Sequence, residues 1–302
     1  MKRKVNRVGQ NTLTISLPSN WVKQYSVKQG DELEILEQGK SIMVGCSDSI
    51  EEEIKEISIE IDEEHSTHVR SMLGALYRKG YDIIRVRYYN EDVLRLINES
   101  VNNLIGFEVM EHNTGSCVVQ SILKESEDEF YSTLNKMLNV VKTMSQVVSE
   151  DYSSGNYSRL EEAEGYRQTC WKLRDYAMRI LVKKKLFSES SDAHSTILWT
   201  LEKINRDYKR VYAVCKRNNF FFFFNTCRVP KSTNELLHYF VRNFYTSDIS
   251  KINEVNRKHK ALRKEGQQLI CHIKERSVMV HHLLTINQRI QDMSSSLIIK
   301  NL

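Results

Sequence analysis

The first 46 residues, MKRKVNRVGQNTLTISLPSNWVKQYSVKQGDELEILEQGKSIMVGC, constrain the fold more than any other stretch. Val5, Val8, Leu13, Ile15 and Leu17 alternate with polar residues, which is the period of half-buried strands. Gly9-Gln10-Asn11 supplies the turn between the two runs. Leu17-Pro18-Ser19-Asn20 then opens a short helix, with Ser19 as its cap or Pro18 at its first position. Trp21, Val22 and Tyr25 give that helix one apolar side. Gly30-Asp31 turns into Glu32–Glu37, where Leu33 and Ile35 point inward, and Gln38-Gly39 turns into Ser41–Cys46. The order is strand, strand, short helix, strand, strand. A lone domain is already marginal at ~60 residues, so a unit of this size needs a partner chain.

Its charge is one-sided. Lys2, Arg3, Lys4, Arg7, Lys23 and Lys28 are basic, and no acid occurs before Asp31. On an edge strand such charge serves solubility. On a piece that must dimerise it also outlines a two-fold nucleic-acid reader. The candidate DNA contacts are Lys2, Arg3, Lys4, Arg7, Asn11 and Lys23. Most would engage phosphate, while Arg3 or Arg7 suits bidentate reading of guanine. Asn6, Gln10 and Asn11 stand near enough to read base edges.

The run LPSNWVKQYSVKQGDELEI resembles the core of the SpoVT/AbrB DNA-binding fold. The Leu-Pro, the tryptophan after it and the Lys-x-Gly-Asp-x-Leu-x-Ile spacing of residues 28–35 carry the resemblance. It implies a swapped-hairpin β-barrel formed by two chains. Antitoxins of the MazE kind share that fold, so the resemblance by itself does not specify a promoter regulator.

The chain has 302 residues, room for two or three domains at ~100–150 each. With 40% hydrophobic and 27% charged residues, it has the composition of a soluble globular protein. Its 11 glycines and 2 prolines favour long helices over a many-turned β architecture. The six cysteines show no CxxC pairing and no signal peptide precedes them, so free thiols in a cytoplasmic protein are expected. No apolar run approaches the ~18 residues of a membrane span. Phe220–Phe224 is too short to cross and reads as a helix end plugging a bundle.

Residues 50–123 read as β-α-β-α-β-β, a small α+β sandwich. The strands are Ile57–Ile61, Tyr81–Tyr89, Phe107–Glu111 and Ser116–Leu123, and the helices Glu63–Lys79 and Asp92–Ile105. Gly80 and Gly106 end the helices. There is no glycine loop for phosphate, so the piece reads as a spacer or dimerisation module, with a small-ligand sensor as the sharper option.

From Lys124 onward only helical spacing appears. Six runs, Asp128–Glu150, Ser158–Lys185, Ser191–Asn218, Ser232–Thr246, Asp248–Lys274 and Arg276–Ile299, form one bundle or two three-helix bundles. A weak repeat favours two, at about 125–219 and 231–302. Leu201-Glu202-Lys203-Ile204-Asn205-Arg206 overlays Asn287-Gln288-Arg289-Ile290-Gln291-Asp292. Here the chain resembles PhoU. RKGYDIIRV, NNLIGFEV and LEKINRDYKRVY after an AbrB-type head resemble the archaeal phosphate uptake regulators. In that family a Glu-x-x-x-Asp signature binds metal. This chain departs from it. Glu202 is followed by Arg206, and Asp292 is preceded by Gln288, so each half keeps one carboxylate. Glu161 and Glu164 are a possible supplement, and an Arg206–Asp292 or Glu202–Arg206 ion pair could replace a divalent or iron-type metal.

Other constellations are weaker. Cys271, His272, His281 and His282 invite zinc, but on continuous helix residues 272 and 281 lie about 13 Å apart. Lys183-Lys184-Lys185 reads as a solvated helix end. No hydrolase constellation has supporting motifs. The expectation is therefore an α+β multidomain chain without catalytic activity. It has a head at 1–46, a middle domain at 50–123 and a PhoU-like body at 125–302. Its role would be a homodimeric regulator of phosphate uptake on double-stranded DNA. Two alternatives stand beside it: an adaptor docking on a phosphate transporter or kinase, with the head serving only to dimerise, and an antitoxin partnered to a nuclease.

Overall fold

The computed structural model describes residues 2–9, 12–38, 41–46, 54–62, 65–187, 190–218, 228–272 and 277–301. The chain separates into two compact units, residues 1–54 and 55–302. The expected plug at Phe220–Phe224 lies outside the described residues, as does the candidate contact Asn11.

In the first unit, β1 (Val5–Val8) pairs antiparallel with β2 (Thr12–Ile15), α1 spans Ser19–Gln24, and β3 (Leu33–Gln38) pairs antiparallel with β4 (Ser41–Cys46). The expected element order is present. Among the described residues, one chain supplies two separate two-stranded sheets and no closed barrel. Pro18 is the residue before the helix, with extended backbone, and Ser19 is the first helical residue, with no side-chain cap. Neither expected role at this start is filled: the fixed φ of Pro18 sets the entry of the chain, and Ser19 lies too far in to cap.

The second unit begins with β5 (Glu56–Ile61), α2 (Ser66–Arg78), β6 (Ile83–Tyr88), α3 (Glu91–Val101), β7 (Phe107–Asn113) and β8 (Ser116–Ser121). The sheet order is β5-β6-β8-β7, with β5 and β6 parallel and the other pairs antiparallel. Alternation in β5 turns Ile57, Ile59 and Ile61 toward the core. Asn90 caps α3 by accepting from Val93 N at 2.9 Å, and Glu91 and Asp92 in the first turn complement the helix dipole. Gly80, at φ +82°, takes the left-handed turn that ends α2.

Six helices follow: α4 (Glu127–Ser154), α5 (Leu160–Lys183), α6 (Ser191–Asn218), α7 (Val229–Arg242), α8 (Ile249–His272) and α9 (Ser277–Asn301). Ser126 and Glu129 form a reciprocal capping box on α4, and Gly155 closes it at φ +70°. The run Arg228–Lys231, expected as a break, contains the start of α7. Pro230 sits in its first turn, where no backbone N–H is needed. Helices α4, α5 and α6 pack on one another, as do α7, α8 and α9, and α6 on α9 is the most extensive interface between the two sets.

The expected boundary near residue 124 is not a break in packing, because α2 lies against α5. Arg179, fully buried in α5, donates to Glu125 at 2.5 Å, to Asp82 at 2.5 Å and to the carbonyls of Tyr77 and Tyr81 at 3.1 and 2.6 Å. Its guanidinium lies 5.1 Å from the Tyr77 ring centre and 4.8 Å from that of Phe107. Lys183 joins Asp82 at 2.6 Å and Glu125 at 3.2 Å. This corrects the reading of Lys183 as a solvated helix end: its side chain is only 9% exposed. Burial opposes the charge of Asp82. The Lys183 hydrogen bond, the Lys55 backbone N–H and the two cations outweigh it and hold the carboxyl below its ordinary range.

Between α4 and α7, Ser145 Oγ lies 2.7 Å from Asn234 Oδ1 and 3.5 Å from His238 Nε2. Burial, then the charge of Lys142, holds the His238 imidazole below its ordinary value. Burial does the same to His282 on α9. Below ~6.5 the unfolded chain takes up these protons while the folded one resists them, so stability should fall as pH drops through that value. Thermal melts at successive pH values from neutral to mildly acid should show the fall, and His238→Gln should shrink it. An unchanged pH dependence in that variant would assign the effect elsewhere.

Candidate nucleic-acid interface

The register Val5↔Ile15, Asn6↔Thr14, Arg7↔Leu13 and Val8↔Thr12 sorts the first hairpin into two faces. Val5, Arg7, Leu13 and Ile15 share one face. Asn6, Val8, Thr12 and Thr14 share the other. Val8 therefore stands apart from the apolar set it was expected to join, because residues 5 and 8 differ in parity. The second hairpin repeats the pattern: Leu33, Ile35, Ile42 and Val44 share a face. These faces are uncovered in the single chain. Val5 is 60% exposed, Leu13 69%, Ile15 58%, Ile35 63% and Ile42 67%.

Lys2, Arg3 and Lys4 lead into β1, and all three are exposed. Arg7 is exposed within β1, and Lys23 occupies the last turn of α1. There a cation complements the helix C-terminus as well as any external anion. Trp21 and Val22 are half-buried, and the Trp21 and Tyr25 ring centres are 5.4 Å apart. Asp31, the first acid, is turned to a structural task. Its Oδ2 accepts from the Lys28 backbone N–H at 2.7 Å and closes the turn at Gly30, which has φ +99°. The hairpin and the residues before it thus carry cations alone, and the neutral face adds the short polar side chains Asn6, Thr12 and Thr14. That second set could have been read from strand parity.

Residues 7–45 match the family model of the bacterial antitoxin MazE, described as antidote-toxin recognition. Comparison with curated proteins gave no match, and comparison with solved structures gave none. The MazE match runs from within β1 to within β4 and includes the helix between the hairpins, the segment singled out by the Leu-Pro-x-x-Trp and Lys-x-Gly-Asp spacing, and it leaves Lys2, Arg3 and Lys4 outside. It does not reach the helical half, whose PhoU-like reading rests on the sequence resemblance alone.

The residues of the degenerate metal signature are not gathered. Glu202 is buried on α6 and faces Arg174 of α5 at 3.5 Å. Asp292 on α9 accepts from Gln288 at 2.8 Å. Glu164 is bound by Arg167 and, at 3.3 Å, by Lys209, while Glu161 is exposed in the first turn of α5. Among the described residues no three His, Cys, Asp or Glu side chains converge as metal ligands would. Glu202, Glu164 and Asp292 each already meet a cation or an amide, so the donor set does not fit a metal. Neither expected ion pair forms. The pair that joins α6 to α9 is Asp207–Arg289 at 2.9 Å, one residue along α6 from Arg206 and three back along α9 from Asp292. A helical step of about 100° takes the neighbouring residue to the interface instead. Arg206 Nε is buried and has no hydrogen-bond partner among the described residues.

Proposed function

We propose that the chain is a dimeric, non-catalytic DNA-binding regulator whose head is a MazE/AbrB-like domain. Domains of that kind bind DNA and dimerise. The observation that carries the reading is the acid-free basic segment on a hairpin whose apolar face stands open. A second copy laid on those faces would bury Val5, Leu13, Ile15, Ile35 and Ile42, and would bring two sets of Lys2, Arg3, Lys4, Arg7 and Lys23 to one duplex. Control of phosphate uptake, in the cytoplasm, is the finer form of this proposal. It rests on the resemblance of RKGYDIIRV and LEKINRDYKRVY. No helix among the described residues is long and apolar enough to cross a membrane.

Fluorescence anisotropy on duplex DNA from the chain's own upstream region tests the reading. Full-length protein is compared with a chain starting at Ser47, which retains the whole of the second compact unit. Full-length protein alone should bind, with some sequences retained at physiological salt. Equal binding by both would remove the head from DNA recognition. A second reading is favoured by the MazE match: an antitoxin whose head recognises promoter DNA while the rest of the chain holds a nuclease toxin. Co-purification of a nuclease with the full chain would support it. Recovery of a transporter ATPase or kinase with residues 47–302 alone would support the adaptor reading.

A further inference from the structure

We infer that the groove between α8 and α9 is a binding site for a short linear polyphosphate, a multiply charged anion with no apolar body. This goes beyond the role of the head and does not depend on it. The groove is open to solvent and has a volume of about 470 Å³. Lys260, Arg263 and Lys264 line it from α8, and Gln288 and Gln291 face them from α9. Asn256 and Gln267 also line it. Residues 256, 260, 263, 264 and 267 recur at helical spacing, so one face of α8 presents all five over ~16 Å.

Four features point to the ligand class. First, the lining holds three cations and no carboxylate. The acids of α8 are directed elsewhere or less exposed: Glu254 pairs with Arg257 and Lys258, and Glu265 is half-buried. Lys260, Arg263 and Lys264 meet no acid among the described residues. Second, one amide is left free to donate. Gln288 Nε2 donates to Gln291 Oε1 and to Asp292 Oδ1, each at 2.8 Å, which ties the carboxylate of Asp292 down and leaves the Gln291 N–H pair to donate outward. Third, the walls are rigid. His259 and Asn287 clamp α8 to α9 through reciprocal bonds to each other's carbonyls, at 3.3 and 3.2 Å. A Cβ on Gly266 would stand 2.5 Å from Leu284 Cδ2, so the helices are in close contact there too. Fourth, the lining contains no apolar side chain, and its one ring, His259, is buried. Pockets for organic molecules are mostly apolar. This one has charged and amide side chains with only their aliphatic stems as apolar surface, which suits a phosphate chain and leaves the Arg263 guanidinium as the one accessible plane on which a nucleobase could stack.

Titration calorimetry on the full-length protein at physiological salt tests this with sodium tripolyphosphate, inorganic phosphate, ATP and duplex DNA as probes. Tripolyphosphate should bind, inorganic phosphate should bind at least roughly tenfold more weakly, and ATP no more tightly than tripolyphosphate. Lys260→Gln with Arg263→Gln and Lys264→Gln should weaken tripolyphosphate roughly tenfold or more, whereas Lys251→Gln with Arg257→Gln and Lys258→Gln, an equal loss of charge on the same helix, should change it far less. All six positions are exposed, so both variants keep the core. Equal weakening by the two triple variants would mean diffuse attraction and overturn the site. Tighter binding of ATP would mean that a base is recognised, and would overturn the assignment. Loss of DNA binding alone in the first variant, with no response to tripolyphosphate, would overturn it too, in favour of a nucleic-acid contact.

Discussion

Replacing Arg179 with methionine should lower the unfolding free energy of the protein by about 3–5 kcal/mol, the usual cost of removing one partner from a buried ion pair. The variant would leave Asp82, Glu125 and Lys183 together, with one negative charge in excess. The Tyr81 carbonyl would also lose its Arg179 donor, while that of Tyr77 would keep the Gly80 N–H at 3.0 Å. Methionine fills much of the volume and can still touch Tyr77 and Phe107, so the loss is electrostatic more than steric. In a unit of this size the midpoint of thermal unfolding should drop by roughly 6–20 °C, at ~2–4 °C per kcal/mol. Circular dichroism melts of the full-length protein read this directly. A drop of a degree or two would show that the hub is not coupled to global unfolding. The acid limb of stability should change as well. Asp82 has a depressed folded pKa, so its contribution is present above the ordinary carboxylate range and is lost as pH falls through the depressed value. Without Arg179 that depression weakens and the contribution shrinks.

The second large effect is expected at the head. Arg3→Ala combined with Arg7→Ala should lower affinity for duplex DNA and flatten its dependence on salt. Each phosphate contact accounts for about 0.9 in the slope of log affinity against log salt, so two lost contacts should reduce the slope by about 2. Arg7 shares its face with Val5, Leu13 and Ile15, the face that a partner chain would cover. Single substitutions therefore separate two roles. A loss of dimer in sedimentation with Arg7→Ala, at unchanged slope, would place Arg7 in the subunit contact. A changed slope with the dimer intact would place it on DNA. An unchanged slope in the double variant would remove both residues from the nucleic-acid interface.

Much of this fold was legible in the sequence, because short-range periodicity sets each element. The six long helices fall within a few residues of their expected ends, and the β-α-β-α-β-β order of residues 56–121 is present. The exceptions have local causes. Pro230 marks a helix start where a break was expected, and Pro18 precedes its helix instead of entering it. The candidate metal residues are a different kind of case. Glu202, Glu164 and Asp292 sit on helices as expected, but which partner each meets depends on how those helices cross. A shift of one residue on α6 and of three on α9 was enough to give the ion pair to Asp207 and Arg289.

Sequence alone determined the basic, acid-free head and its strand–strand–helix–strand–strand order, since charge and alternation are properties of the chain itself. It also contained the run RKHKALRK at 257–264, but not its meaning. Only the tertiary structure decided that Lys260, Arg263 and Lys264 face amides of α9 while Arg257 and Lys258 are taken up by Glu254. It likewise decided that Lys183 is buried against residues 58 and 101 positions earlier in the chain. Periodicity specifies which face of a helix is apolar. Which distant charge lies across from that helix is settled by packing between elements, where desolvation makes each pairing costly to leave incomplete.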